Sequence, residues 1–359
     1  MNIHQLLELT LERKASDLHL VVDYQPMLRI NGELIAIAGE AILTDNDVGN
    51  LLAPILTADQ KKTFENNLEL DFATSLPGKA RFRVNIFQEK GHLSASLRLI
   101  PILIPELSTL GLPPAVAKFV DLRQGLILVT GPTGHGKSTT LAALINKINQ
   151  TRAAHILTVE DPIEYIYPKA KSLVSQRELL VDTKTWPNAL RAALREDPDV
   201  VLVGEMRDLE TISATLTVAE TGHLVFATLH TNSAAQTIDR IIDVFPERQQ
   251  AQIRLQLSAV IEAVLSQRLI PTISPGRTLA VELLLKTPAL SSIIRDAKTH
   301  LIDNLIQTSA EFGMVSLEKS LITLVRKGVI SFEVAQSYSL RPDLLAKLLS
   351  ELGAELGNR

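Results

Sequence analysis

The chain has 359 residues, of which 46% are hydrophobic and 21% charged, with a formal net charge of −4 and no cysteine. That length and apolar content allow two or three globular units with a substantial core. Disulfides and thiolate metal centres are excluded, no run approaches the roughly 18 apolar residues that cross a bilayer, and dispersed charge without a basic, aromatic-interleaved tract argues against a nucleic-acid partner. A soluble cytoplasmic protein with neither signal peptide nor membrane span is expected, since its first helix-like stretch carries Glu8, Glu12, Arg13 and Lys14.

Ile3, Leu6, Leu7 and Leu11 share one helical face, and Ala15-Ser16-Asp17 interrupts the pattern before Leu18, Leu20 and Val22 alternate as in a strand. Asn31-Gly32, between the apolar stretches 27–30 and 34–37, predicts a hairpin. Two further strands are expected over 81–87 and 93–99, joined through Gly91, which makes residues 1–100 a small α+β domain. Residues 101–115 contain Pro101, Pro105, Pro113 and Pro114 and suit an extended linker. Beyond it, the apolar run 126–129 precedes a glycine-rich loop, and 141–145 follows at helical spacing. The β-branched runs 156–159, 200–203 and 224–227 alternate with helical patterns, predicting a mainly parallel, helix-wound α/β domain over 116–288. Residues 289–359 read as helical, with Leu290, Ile293, Ile294, Leu301, Ile302, Leu305 and Ile306 as one apolar stripe and a frayed tail at the end.

The loop Gly131-Pro132-Thr133-Gly134-His135-Gly136-Lys137-Ser138-Thr139 contains G-x-x-x-x-G-K-[ST] between a strand and a helix. Its glycines let backbone N–H groups curl around phosphate oxygens at a helix N-terminus, Lys137 neutralises the β and γ phosphates, and the Ser138 hydroxyl suits Mg²⁺. ATP with Mg²⁺ is therefore the expected ligand. The run 200–203 ends in Gly204-Glu205-Met206-Arg207-Asp208, which places Glu205 at the carboxyl end of a second core strand, expected beside the first, within reach of the magnesium shell or the attacking water. Strand 156–159 runs into Glu160-Asp161-Pro162-Ile163-Glu164-Tyr165. Among these acids Glu164 is preferred over Glu160 for orienting water, because Pro162 turns the chain away from the strand. His223 and His230 bracket strand 224–227. The rule that ligands bind at the carboxyl ends of parallel strands selects His230 for the nucleotide and leaves His223 structural or at a subunit boundary. Arg81, Arg83 and Arg98 of the first domain are candidates to meet charge developing on the γ phosphate, with Arg191, Arg195 and Arg207 behind them.

Taken together, the phosphate loop at 131–138, the acidic box 158–165, the region 199–208 and the histidine box 221–230 make the chain resemble the secretion-type ATPase superfamily, most closely the type IV pilus retraction ATPases, over residues 15 to about 320. The resemblance implies a PAS-like N-terminal domain and a RecA-like ATPase domain in a homohexamer with ATP between domains. It also implies hydrolysis-driven rotation acting on an inner-membrane platform protein, with a paralogous motor as a further possible partner and a cytoplasmic location at that membrane. By position it makes Arg81 and Arg98 the arginines that approach the γ phosphate, and Glu205 and Glu164 the catalytic carboxylates, beside Lys137 and His230. With the PAS-like domain expected to start near residue 1 and no cysteine in the chain, the long extra N-terminal domain and four-cysteine zinc element of the extension and type II secretion ATPases are not expected here. One position and one segment depart from the family pattern: His135 replaces the usual serine, and Ala289-Leu290-Ser291-Ser292-Ile293-Ile294-Arg295-Asp296 keeps the apolar spacing of the retraction segment without its first arginine and its asparagine. Two alternatives stay open, an ATPase acting on a secretion or assembly load and a nucleotide-binding regulatory ring component with little turnover.

Overall fold

The computed structural model describes residues 1–30, 32–100 and 103–357, the side chains of 351–357 excepted. Two compact units result, Met1–Ile104 with Pro162–Ile166, and Pro105–Asp161 with Tyr167–Arg359. The first unit runs past the expected boundary at residue 100 and also takes in Pro162–Ile166.

In the first unit the helix Ile3–Glu12 starts at a capping box, with Asn2 accepting from the Gln5 amide and Gln5 reaching back. It buries Ile3, Leu6 and Leu7, the face its spacing predicts. The sheet contains β1 (Asp17–Leu20), β2 (Met27–Ile30), β3 (Glu33–Ala36), β4 (Glu69–Leu76), β5 (Ala80–Glu89) and β6 (His92–Ile100), in the order β3-β2-β1-β6-β5-β4. Every neighbouring pair is antiparallel. Phe82, Val84 and Ile86 of β5 point into the core at the two-residue period of a half-buried strand. The β2–β3 hairpin forms with Ile30 opposite Glu33; Asn31 of its turn lies outside the described residues, and Gly32 takes the left-handed φ of +92° that such turns need.

In the second unit a seven-stranded sheet contains β7 (Gly125–Thr130), β8 (His155–Glu160), β9 (Leu173–Glu178), β10 (Val200–Val203), β11 (Leu224–Leu229), β12 (Ile261–Pro271) and β13 (Arg277–Leu285), in the order β13-β12-β7-β11-β10-β8-β9. All neighbours pair in parallel except β12 with β13. Every residue of β7, β10 and β11 is buried, which explains why these strands read as continuous apolar runs. One expectation is corrected. The strand carrying Glu205 is not beside the phosphate-loop strand, because β11 lies between β7 and β10.

After β13 the apolar stripe is split between the helices Pro288–Arg295 and Ile302–Thr308 by a turn in which Ala297 has φ +57°. Leu290, Ile294, Ile302 and Ile306 nevertheless enter one core with Leu284 of β13. Three more helices, Leu317–Arg326, Phe332–Tyr338 and Pro342–Gly357, pack around Leu317, Leu321, Ile330 and Leu345 against Ile270 and Ala280 of β12 and β13. The C-terminal helices thus belong to the same compact unit as the seven-stranded sheet. Among the described residues no helix is long and apolar enough to cross a membrane.

Candidate functional site

The phosphate loop leaves the carboxyl end of β7 and enters the helix Lys137–Thr151. Gly131, Gly134 and Gly136 have φ of +139°, +79° and +83°, values that side chains rarely tolerate. At Gly131 an added Cβ would stand 2.4 Å from the Gln267 carbonyl oxygen, so β12 presses against the loop there and only glycine fits. Lys137 is 8% exposed, and its Nζ donates across the loop to the carbonyls of Gly131 at 2.7 Å and Pro132 at 3.0 Å. The lysine is thus already curled over the space that its backbone N–H groups enclose. Pro132, Thr133, Ser138 and Thr139 fill out the loop and the first helical turn, with Ser138 half-buried beside Lys137.

Because β11 runs between β7 and β10, the residue at its carboxyl end bridges the two neighbouring strand ends. His230 accepts at Nδ1 from Lys137 Nζ at 3.4 Å, lies 3.4 Å from Thr133 Oγ1, and places Nε2 3.0 Å from Glu205 Oε1. The tautomer with its proton on Nε2 satisfies both the lysine and the glutamate. Glu205 receives Arg207 Nη2 on its other oxygen at 2.7 Å. Burial opposes ionisation of Glu205, but the Arg207 hydrogen bond and charge, with the hydrogen bond from His230, outweigh it and hold the carboxyl below its usual range. The same hydrogen bond raises Arg207. Lys137, His230 and Glu205, all expected from the sequence, thus form one connected chain, and Arg207 is added to it.

His135 turns away from this chain. Its Nδ1 accepts the Leu269 backbone N–H at 3.1 Å. β12 outlasts β7, whose last paired residue Thr130 lies opposite Ser266, so the Leu269 amide lacks a ladder partner on that side and the imidazole supplies it. Burial and the nearby charges of Arg268, Lys137 and Arg277 lower the His135 pKa and keep the ring neutral, as an acceptor must be. Replacing His135 by serine is expected to lower stability by about 1 kcal/mol, seen as a drop of a few degrees in Tm, while ATP turnover stays within about threefold of wild type. A tenfold gain in turnover would instead make His135 an obstruction to phosphate.

The remaining candidates separate by unit. Glu160 is fixed within the second unit, where Oε1 accepts from Thr158 Oγ1 at 2.7 Å and Gln176 Nε2 at 3.2 Å. His223, at the opposite end of β11, contacts the Val218 carbonyl and the Thr221 hydroxyl at 3.0 Å each and closes the helix Leu209–Glu220. Arg191 bonds locally to Pro187 and Asn188 on an exposed helix face, and Arg195 is exposed. Arg81, Arg83, Arg98 and Glu164 belong to the first unit. Arg83 Nη2 reaches Asp71 at 3.2 Å, and Arg98 Nε donates to Asp17 Oδ1 at 2.9 Å across the β1–β6 pair. Sequence reasoning missed Gln267, whose carbonyl limits Gly131 and whose side chain donates to Thr140 Oγ1 at 2.9 Å. Its signal was the polar pair Ser266-Gln267 inside an apolar strand.

A phosphate loop at the end of a central parallel strand, with a histidine and a glutamate delivered from the next two strand ends, defines a RecA-like nucleotide-binding domain. The chain belongs to the Type II/IV secretion system protein family, whose model matches residues 1–282, and within it is PilT-like. It is 47% identical over 343 residues to the type IV pilus retraction ATPase PilT of Pseudomonas aeruginosa, covering 96% of this chain and 99% of the relative. A twitching motility protein of Neisseria gonorrhoeae is 47% identical over 312 residues, covering 87% and 83%. A crystal structure of the pilus retraction motor PilT with bound ADP superposes with a TM-score of 0.90 at 43% identity, over 97% of this chain and 99% of that one.

Proposed function

We propose that this chain is an ATP-hydrolysing motor of a type IV pilus that drives pilus retraction, working as a homohexameric ring on an inner-membrane platform protein at the cytoplasmic face. The observation that carries it is the continuous chain Lys137, His230, Glu205 at the ends of three adjacent parallel strands, in a chain 47% identical to a retraction ATPase over nearly its full length. The loop fits a triphosphate, since Gly131 is held where only glycine fits and Lys137 is already directed inward. Ser138, and Glu205 through water, would hold Mg²⁺, which when bound neutralises charge on the β and γ phosphates.

In the reading we favour, Lys137 leaves the Gly131 and Pro132 carbonyls for the phosphates. Glu205, kept ionised, accepts a hydrogen bond from the attacking water, and His230 holds Glu205 and Lys137 at fixed separation. Glu164, Arg81 and Arg98 are proposed to act from the first unit, the arginines on charge developing at the γ phosphate. The departures that would favour the regulatory alternative are His135 and the altered segment 289–296. His135 is engaged with Leu269, and the segment keeps Leu290 and Ile294 in the core, so both motives weaken.

The test is steady-state ATP turnover of the purified chain with Mg²⁺, with particle mass recorded, followed by expression in a piliated strain lacking its retraction ATPase. Turnover by a hexamer and recovered surface motility are expected. Turnover without motility would leave an ATPase acting on another load, and ATP binding without turnover would leave the regulatory ring component.

A further inference from the structure

A buried ionic cluster lies on the far side of the His230 loop. Glu282 of β13 is 1% exposed. Its Oε1 accepts the Ala234 backbone N–H at 2.8 Å and its Oε2 meets Arg341 Nη1 at 2.9 Å. Ala234 opens the helix Ala234–Asp243, four residues after His230, and Ser233 caps that helix by accepting from the Gln236 amide. Arg341 immediately precedes the helix Pro342–Gly357. Its guanidinium also bonds to both oxygens of Asp303 and to Glu318 Oε2 at 3.1 Å. Glu318, fully buried, turns its other oxygen to the Leu340 and Arg341 amides at 3.1 and 3.0 Å.

One guanidinium therefore serves three carboxylates, two of them out of water. Apolar side chains of similar volume often hold such a site as firmly, so stability is a weak reason for it. What the cluster does provide is direction. It fixes one amide at the start of the helix behind the catalytic histidine and ties that amide, through a single side chain, to the start of the last helix. Burial raises the Glu282 pKa and the Arg341 charge opposes that rise, so the carboxylate depends on this partner to stay ionised.

We propose that Glu282 is a positioning residue for His230 and that Arg341 couples its setting to the helix Pro342–Gly357, so that nucleotide in the loop and the position of the C-terminal helix influence one another. The coupling rests on the nucleotide-site reading above, and its effect is reciprocal: nucleotide restrains the helix, and disturbing the helix's anchor disturbs catalysis.

The test uses the full-length chain and two variants. Glu282→Gln keeps a carbonyl for Ala234 but gives Arg341 no charge; Arg341→Lys keeps the charge but cannot bridge Glu282 and Asp303 together. Amide hydrogen exchange over residues 342–350 is measured with and without ADP, with ADP binding followed separately. In wild type ADP is expected to slow exchange there by about fivefold or more, and in both variants that response is lost while ADP still binds. In the same samples kcat, counted per ADP-binding site, falls about tenfold with KM for ATP within about twofold, whereas loss of folded protein lowers the number of sites and leaves turnover per site unchanged. An ADP response in the variants equal to wild type, or none in wild type with ADP bound, overturns the proposal. The exchange measurement needs binding only, so a wild type that binds ADP without hydrolysing ATP removes the motor reading and leaves the coupling to be judged separately.

Discussion

Lys137→Ala is expected to reduce ATP turnover by about 10³-fold or more, because one ammonium serves three places at once. It spans the loop between the Gly131 and Pro132 carbonyls, it faces the space proposed for the phosphate oxygens, and it holds His230 through Nδ1. Alanine removes the only cation the loop itself contributes, leaves two inward-pointing carbonyls without that donor, and unties His230 from the lysine side, so Glu205 loses part of its alignment as well. Loss is therefore expected in both kcat and nucleotide affinity, whereas a residue that only orients water would change kcat alone. Structural loss is expected to be smaller, about 1 to 3 kcal/mol for the unmade hydrogen bonds, so the fold and its assembly state should persist. Steady-state turnover, nucleotide titration and particle mass on the same sample decide the matter. An alanine variant that turns over at the wild-type rate with an unchanged particle mass would remove Lys137 from the mechanism.

The parts of this site that were legible in the sequence are those that a short stretch of chain determines by itself. A strand, a loop needing left-handed backbone at Gly131, Gly134 and Gly136, and a helix beginning at Lys137 are local consequences of about twenty residues. That His230 and Glu205 sit at carboxyl ends of buried strands is also local. Their meeting is not. It depends on β11 lying between β7 and β10, an order set by packing among helices and strands far apart in the chain.

The same distinction explains the misses in the fold. β4 and β9 are edge strands with few buried residues, so the alternation that marks a strand is weak. The helix Ala58–Asn67 buries no residue fully and shows only in its Thr57 and Gln60 capping box. The β12–β13 hairpin carried a Ser274-Pro275-Gly276 turn signal, but its apolar strands resemble buried helix segments. His135 stands among residues expected to contact phosphate, but its Nδ1 partner is an amide on β12, 134 residues away. Glu282 and Arg341, on different elements, gave no pattern at all.

Glu205→Gln is expected to bind nucleotide with nearly wild-type affinity and to lose turnover by about 10² to 10⁴-fold, the reverse of the lysine variant's double loss. Glutamine fits the same space and can still accept from His230 Nε2–H or from Arg207, but it cannot take up positive charge from a polarised water. The variant also separates catalysis from charge in stability. The Glu205 carboxyl is lowered in the folded chain against the opposing effect of burial, by Arg207 and His230. Such a group stabilises the fold above its unfolded pKa, and that contribution disappears as pH falls through the lowered value. Wild type is therefore expected to unfold at a higher temperature than Glu205→Gln near neutral pH, with the gap closing as the solution is acidified into and below the carboxylate range. Thermal unfolding of both proteins across that range reads the gap directly. A gap that widened toward acid would mean that the carboxylate is raised rather than lowered, which would favour a protonated Glu205 at rest and shift the role of accepting the water's hydrogen bond to Glu164.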